Sequence, residues 1–288
     1  MSNGINKRQN EEKSIVMLAA QRRLYNLAKK YDMLLLLVSV ILPFACAILL
    51  CYFPNSIQLQ IVQYLIVVGS IVFSFAIDGN IYEKKKLAAL IQQKFDLYVY
   101  RMPWDNKLFG EEKEISHEIV VYSKKILTND KEMANIVNWY RPEYDTKELL
   151  DGIALCQREN VLWDMELRKR YRTLSIITIS GMIFIILIIA LSKNESVYVF
   201  LSRMVFILPM LKWLLLNVIT NINKNIKLQD HMEIAVRNKH TSMENLQFIQ
   251  KDIYDFRKSC FIIPNWVYKL FKSTDEDNAR RAASFEDM

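Results

Sequence analysis

Glycine, proline, cysteine and histidine are all scarce in this chain: its 288 residues include six glycines, six prolines, four cysteines and three histidines. Six glycines leave little material for phosphate-cradling loops, and no GxSxG, HExxH, P-loop or glycine-rich dinucleotide turn occurs. Cys46 and Cys51 fall inside one apolar run, whereas Cys156 and Cys260 stand apart in polar surroundings. That spacing matches neither a zinc site nor a disulfide framework. The histidines are equally dispersed, so no metal centre is visible. Neither catalysis nor a resident cofactor or metal is expected.

Charge is missing in a more instructive way. Residues 33–53 carry none over 21 positions, which matches the roughly 20 apolar residues an α-helix needs to cross a bilayer. A polar arm, 1–32, precedes this run, so it does not read as a signal peptide, whose shorter apolar region lies close to the amino terminus. Similar runs occupy 57–77, 174–191 and 197–220, the last interrupted by Arg203 and Lys212. The third, "LSIITISGMIFIILIIAL", is apolar on every side, as lipid or a bundle interior requires. The expected fold is therefore all-α, with four transmembrane helices in two hairpins, 33–77 and 174–220.

Lysine and arginine set the orientation, because cytoplasmic flanks retain positive charge. Of 38 such residues, 7 lie in 1–32, 17 in 78–173 and 11 in 221–288. The turn "PNSIQ" has none and "KNES" has only Lys193. Both termini and the central segment are expected in the cytosol of a bacterial inner-membrane protein. The formal net charge of +7 is explained by this distribution, and no DNA binding is expected from a scattered excess.

The central segment 78–173 is long enough for a small domain. Ile91, Phe95 and Tyr98 keep helical spacing, as do Ile115, Ile119 and Tyr122, with "MPWDNKLFG" as the break between them. A third helix is expected over 131–140, after "TND" and before Pro142. A fourth is expected from "DTKE", with Asp145 and Glu148 as a capping pair, running without a break into span three. Span two is expected to continue past Gly79, giving a mechanical link between membrane and cytosol. After span four, one helix is expected over about 224–258, then a polar, mobile tail. The arm shows an apolar side, Met17, Ala20, Leu24, Leu27 and Tyr31, and a polar side with Gln21, Arg22 and Asn26. Such a helix can dock on the central domain or a neighbouring protomer, or serve only as a topology signal.

Two constellations are candidates for function. Gln60, Gln63, Ser70, Ser74 and Asp78 share one face of span two, and span four adds Arg203, Lys212 and Asn217. Polar groups in lipid need partners, so these residues either pack helices together or line a water-filled pore once copies assemble. The second group is Tyr98, Arg101, Trp104, Trp139, Tyr140 and Arg141. Aromatic faces stack bases and arginines clamp phosphates, which suits nucleotide binding; the alternative is the ordinary core of a small helical domain.

The stretches "RQNEEKSIVMLAAQRRLYNLAKKYD", "FDLYVYRMPWDN", "NWY" at 138–140, "CQRENVLWDMELRKRY" at 156–171 and "IQKDIYDFRKSCFIIPNWVYKLF" at 249–271 together resemble the SMODS-associated four-transmembrane effector family of bacterial antiphage defence. The resemblance spans nearly the whole chain. It implies an effector of the CBASS signalling system, in which a nucleotidyltransferase makes a cyclic oligonucleotide and the effector opens or disrupts the inner membrane, killing the infected cell. Self-association is expected, because four helices are few for an aqueous pore. The alternatives are a non-conducting membrane scaffold or sensor that recruits a partner protein, and a lipid-modifying enzyme.

Overall fold

The structure, a computed structural model, describes residues 2–162, 165–193, 196–197, 207–237 and 242–271. Among the described residues every regular element is helical. The chain forms two compact units: Met1–Tyr31, Asp78–Trp163 and Lys224–Cys260 in the first, Asp32–Ile77, Asp164–Asn223 and Phe261–Met288 in the second.

The first unit is built around the arm. Helix α2 (Glu12–Leu36) begins in "EKSIVMLAAQRRLYNLAKK", rich in strong helix formers. Met17, Leu18, Ala19, Ala20 and Leu24 are all buried, in one core with Ala88, Ile91 and Phe95 of helix α4 (Ile57–Tyr100) and Ile153 of helix α8 (Leu149–Leu162). Three adjacent buried positions, 18–20, require neighbours on more than one side of the helix. Gln21, placed on the polar side by the sequence pattern, is only 3% exposed. The arm is thus a central element of a core rather than a surface helix.

Before it lies the short helix α1 (Ile5–Gln9), tied to distant chain. Asp145 accepts from the Asn6 backbone N–H at 3.1 Å and from the Ser2 hydroxyl, while Asn3 donates to the carbonyls of Tyr144 and Lys147 at 2.8 and 3.2 Å. These bonds replace the expected capping pair. Asp145 turns to the amino terminus, a 3-10 turn occupies Pro142–Thr146, and α8 starts at Leu149. Gly152 makes the approach feasible, since a Cβ there would lie 2.5 Å from Asn3 Nδ2 and 2.9 Å from the Tyr144 carbonyl.

Two further expectations are corrected. Helices α5 (Asn106–Phe109) and α6 (Ser116–Leu127) follow α4. The helix expected over 131–140 is only one turn, α7 (Asp130–Met133), capped by Asn129, and turns follow. Asn138 has φ +52, a left-handed conformation that asparagine tolerates. It is pinned by the arm, with Asn10 donating to its side chain at 2.8 Å and accepting its backbone N–H at 3.0 Å. Near the carboxyl end the single expected helix is two, α11 (Asn221–Arg237) and α12 (Met243–Ser259), the latter capped by Ser242. The buried ammonium of Lys85 donates to the Cys260 carbonyl at 2.7 Å, where a cation suits the carbonyl end of α12.

In the second unit α2 runs through a π-helical turn, Leu37–Ile41, into α3 (Leu42–Tyr52). Pro43 lacks an N–H, and in a regular helix its ring would meet the carbonyl of Ser39; the wider turn accommodates both. Helix α4 is unbroken through Gly79. Helix α9 covers Met165–Ser192; the expected continuity of α8 into it falls on residues 163–164, outside the described residues, and α10 (Ile207–Lys212) passes into a π-helical run, Trp213–Thr220. Leu50 of α3 and Val67 of α4 are buried in one small cluster, with Leu59 packed against it.

Among the described residues three helical stretches, Glu12–Tyr52, Ile57–Tyr100 and Leu167–Ser192, are long and apolar enough to cross a membrane. Only 39, 28 and 22% of their most apolar windows is buried, so most of that surface is left for lipid or another chain. Leu65, Val72, Phe75, Ile177 and Phe184 are among the exposed side chains. Arg203 and the tail from 272 lie outside the described residues.

Candidate functional site

A polar cluster lies at the centre of the first unit. Asp96 on α4 has no solvent exposure. Its carboxylate accepts from the Arg257 guanidinium of α12 at 2.6 Å, the Tyr140 hydroxyl at 2.5 Å and the Gln250 amide at 3.0 Å. Gln250 also donates to Gln93 at 2.8 Å and accepts from Gln157 of α8 at 3.2 Å. Asn160 donates to the Tyr140 hydroxyl at 2.9 Å. Gln9 of α1 completes the ring, accepting the Tyr140 N–H at 2.7 Å and donating to its carbonyl at 3.0 Å.

A buried charge is tolerated only when paired and hydrogen-bonded. Burial alone would lower the Arg257 guanidinium, but the Asp96 carboxylate outweighs it and holds the group above its ordinary value. Burial, reinforced by Asp96, keeps the Tyr140 hydroxyl protonated well beyond the usual tyrosine range. Tyr140 therefore acts as a fixed donor. The network is incomplete: Arg257 Nη2 and Gln157 Oε1 are buried without a hydrogen-bond partner among the described residues.

The sequence reading missed Asp96, Gln93, Gln157, Gln250, Arg257 and Gln9. Their signal was present, since every one but Gln93 lies within a stretch that carries the resemblance, yet isolated polar residues in helices read as solvated.

The candidate nucleotide-binding residues separate. Tyr140 is 1% exposed, its ring stacked 6.1 Å from Phe95. Trp139 is half-buried against the same core. Trp104 packs on Phe109 at 5.1 Å and donates to the Gly110 carbonyl at 2.8 Å. Arg141 is exposed and pairs with Glu159 at 3.6 Å. Burial raises Glu159 above the usual carboxylate range and, with Glu159 beside it, pushes Tyr144 up to about 12. Tyr98 is half-buried and donates to Glu11; Arg101 is exposed.

In the second unit Gln63, Ser70 and Ser74 are buried, at 0, 2 and 5% exposure, while Gln60 and Asp78 are exposed. The two serines bond back to the carbonyls of Val67 and Ile71. Lys212 reaches this face, donating to the Ser74 hydroxyl at 3.0 Å with its ammonium 4.8 Å from the Phe75 ring centroid. Asn217 is half-buried and its carbonyl accepts from Asn221. Neither amide atom of Gln63 has a partner among the described residues.

A family model described as the SMODS-associating 4TM effector domain matches residues 3–285. The chain belongs to that family. Within the SMODS-associating 4TM effectors it is similar to a protein named as a probable CBASS effector molecule of Bacillus cereus (strain VD146), 25% identical over 289 residues and covering 94% of each chain. No solved structure matches.

Proposed function

We propose that this chain is a CBASS antiphage effector. A cyclic oligonucleotide from a cognate nucleotidyltransferase triggers it, copies self-associate, and the bacterial inner membrane is permeabilised, killing the infected cell. In this reading it spans the membrane four times, as the hairpins 33–77 and 174–220, with the arm 1–32, the domain 78–173 and the segment 221–288 all cytosolic. The observation that carries it is the exposed apolar surface of the three membrane-length helices, left over after the chain has packed on itself. Family membership supplies the context, and the relative's printed name the signalling system.

A second reading is favoured by one specific observation. Gln63, Ser70 and Ser74 are already covered within a single chain, as in a packed, non-conducting scaffold that recruits a partner. Under the pore reading this face must open when copies assemble.

Liposomes holding the folded protein and a trapped dye, scanned against cyclic di- and trinucleotides, separate the two. Leakage with one nucleotide is expected. Nucleotide binding without leakage, together with capture of a partner protein, would establish the scaffold instead.

A further inference from the structure

From the charges around the amino-terminal turn, we infer that Arg8 and Arg101 form the phosphodiester-binding contact for the cyclic oligonucleotide, an assignment that rests on the trigger proposed above. Arg8 is only 7% exposed. Its Nε donates to the Val99 carbonyl at 2.7 Å and its Nη1 to the Asn3 carbonyl at a long 3.3 Å. Its Nη2 is buried with no partner among the described residues. A guanidinium left one donor short inside a protein is a costly arrangement unless a ligand completes it.

Arg101 stands beside it. A Cβ built on Gly4 would lie 2.5 Å from Arg8 Nη1 and 3.6 Å from Arg101 Nη2, so the two cationic forks flank one small volume. Burial and the neighbouring Arg101 charge both lower the Arg8 guanidinium from its ordinary value. Arg101 is exposed and its guanidinium has no hydrogen-bond or ion-pair partner among the described residues. It also has φ +59, a backbone conformation that arginine rarely adopts.

The nearby acids are otherwise engaged. Glu11 accepts from the Tyr98 hydroxyl and lies 4.0 Å from Lys13, whose ammonium sits 3.4 Å from the Tyr98 ring centroid. Burial opposes ionisation of Asp145, but hydrogen bonds from Ser2 and the backbone of Asn6, Gly4 and Ile5 outweigh it and hold the carboxyl below its ordinary range. Two adjacent guanidinium forks without a bonded carboxylate match the paired oxygens of a phosphodiester. An oxygen arriving at Arg101 meets Arg8 next, and Arg8 turns to it by giving up the weak bond to Asn3. Asn3 is itself held to Tyr144 and Lys147, so occupancy would be felt by the segment 142–147.

The test is equilibrium binding of cyclic di-AMP, cyclic GMP–AMP and cyclic tri-AMP to the full chain in lipid nanodiscs, with inorganic phosphate and glycerophosphoglycerol as controls. Arg101→Asn removes the charge with a residue that tolerates positive φ, so the fold is retained. Arg8→Lys keeps a cation but loses the fork. One cyclic nucleotide is expected to bind wild type, with affinity reduced about tenfold or more in Arg101→Asn, as loss of a charge-assisted bond implies. Equal binding by wild type and Arg101→Asn, with wild-type leakage intact, overturns this site and leaves the trigger standing. Failure of the folded wild type to bind any cyclic nucleotide overturns both. Phosphate binding as tightly makes the site a general anion site, glycerophosphoglycerol binding as tightly makes it a lipid-headgroup site, and either result overturns the assignment.

Discussion

Asp96 shows how one residue decides a domain. Its carboxylate is fully buried and receives three donors, one from Tyr140 and two from α12, both far from it in sequence. Breaking a buried ion pair costs about 3–5 kcal/mol, because the remaining charge is uncompensated. Asp96→Asn is therefore expected to lower the thermal midpoint of the first unit sharply, and the double change Asp96→Leu with Arg257→Met to recover much of the loss. Differential scanning fluorimetry in detergent measures both; a double mutant as unstable as the single would show that the cost is not one of unpaired charge. Glu159 is a gentler case with the opposite sign. Burial raises its pKa, so in the folded state the neutral form is favoured and ionisation at neutral pH is a penalty. Glu159→Gln is then expected to raise the midpoint at pH 7–8. The gain should shrink as pH falls through the folded-state pKa and vanish below the unfolded-state one, about 4.3. A gain that grows on acidification would refute the assigned sign.

At the scale of elements, the long helices were legible in the sequence because their periodicity is local. The continuation of α4 past Gly79 follows from an otherwise uninterrupted run of helix-compatible residues, and nothing lies within 4 Å of a Cβ at Gly79 to force a break. What could not be read was any capping group whose partner is remote. Asp145 looked like the cap of the helix that follows it and instead binds the amino terminus, while the helix expected over 131–140 gives way to turns at a segment held by Asn10. The candidate site divides along the same line: its aromatic and basic residues were visible, but Arg8 and the Asp96 cluster gain their meaning only from contacts between distant stretches. Span two carries an element-scale prediction. Gln63 is fully buried with both amide atoms unpartnered among the described residues, and such a group is destabilising where it stands. Gln63→Leu is expected to raise the thermal midpoint in detergent, yet to reduce nucleotide-triggered leakage if the amide is kept for contacts made on assembly. Higher stability with undiminished leakage would assign Gln63 no part in the pore.

For the whole molecule, charge is distributed so unequally that it makes a statement about what would pass. The two proposed hairpins, 33–77 and 174–220, hold Lys193, Arg203 and Lys212 against a single acid, Glu195. Lys212 is the only charged residue in 207–220, and its described partners are a hydroxyl and an aromatic ring rather than a carboxylate. A cation held in a low-dielectric span attracts mobile anions and repels mobile cations, and its field is little screened there. If the proposed assembly conducts through the face shared by Ser74 and Lys212, chloride should pass faster than potassium. Reversal potentials across a planar bilayer under a potassium chloride gradient measure this directly, with an anion-selective potential expected for wild type. Lys212→Met removes the charge while keeping an unbranched side chain of similar length, and is expected to abolish the preference without preventing insertion. Anion selectivity that survives Lys212→Met would move the conducting path away from this face, and a cation-selective wild type would contradict the charge distribution as its cause.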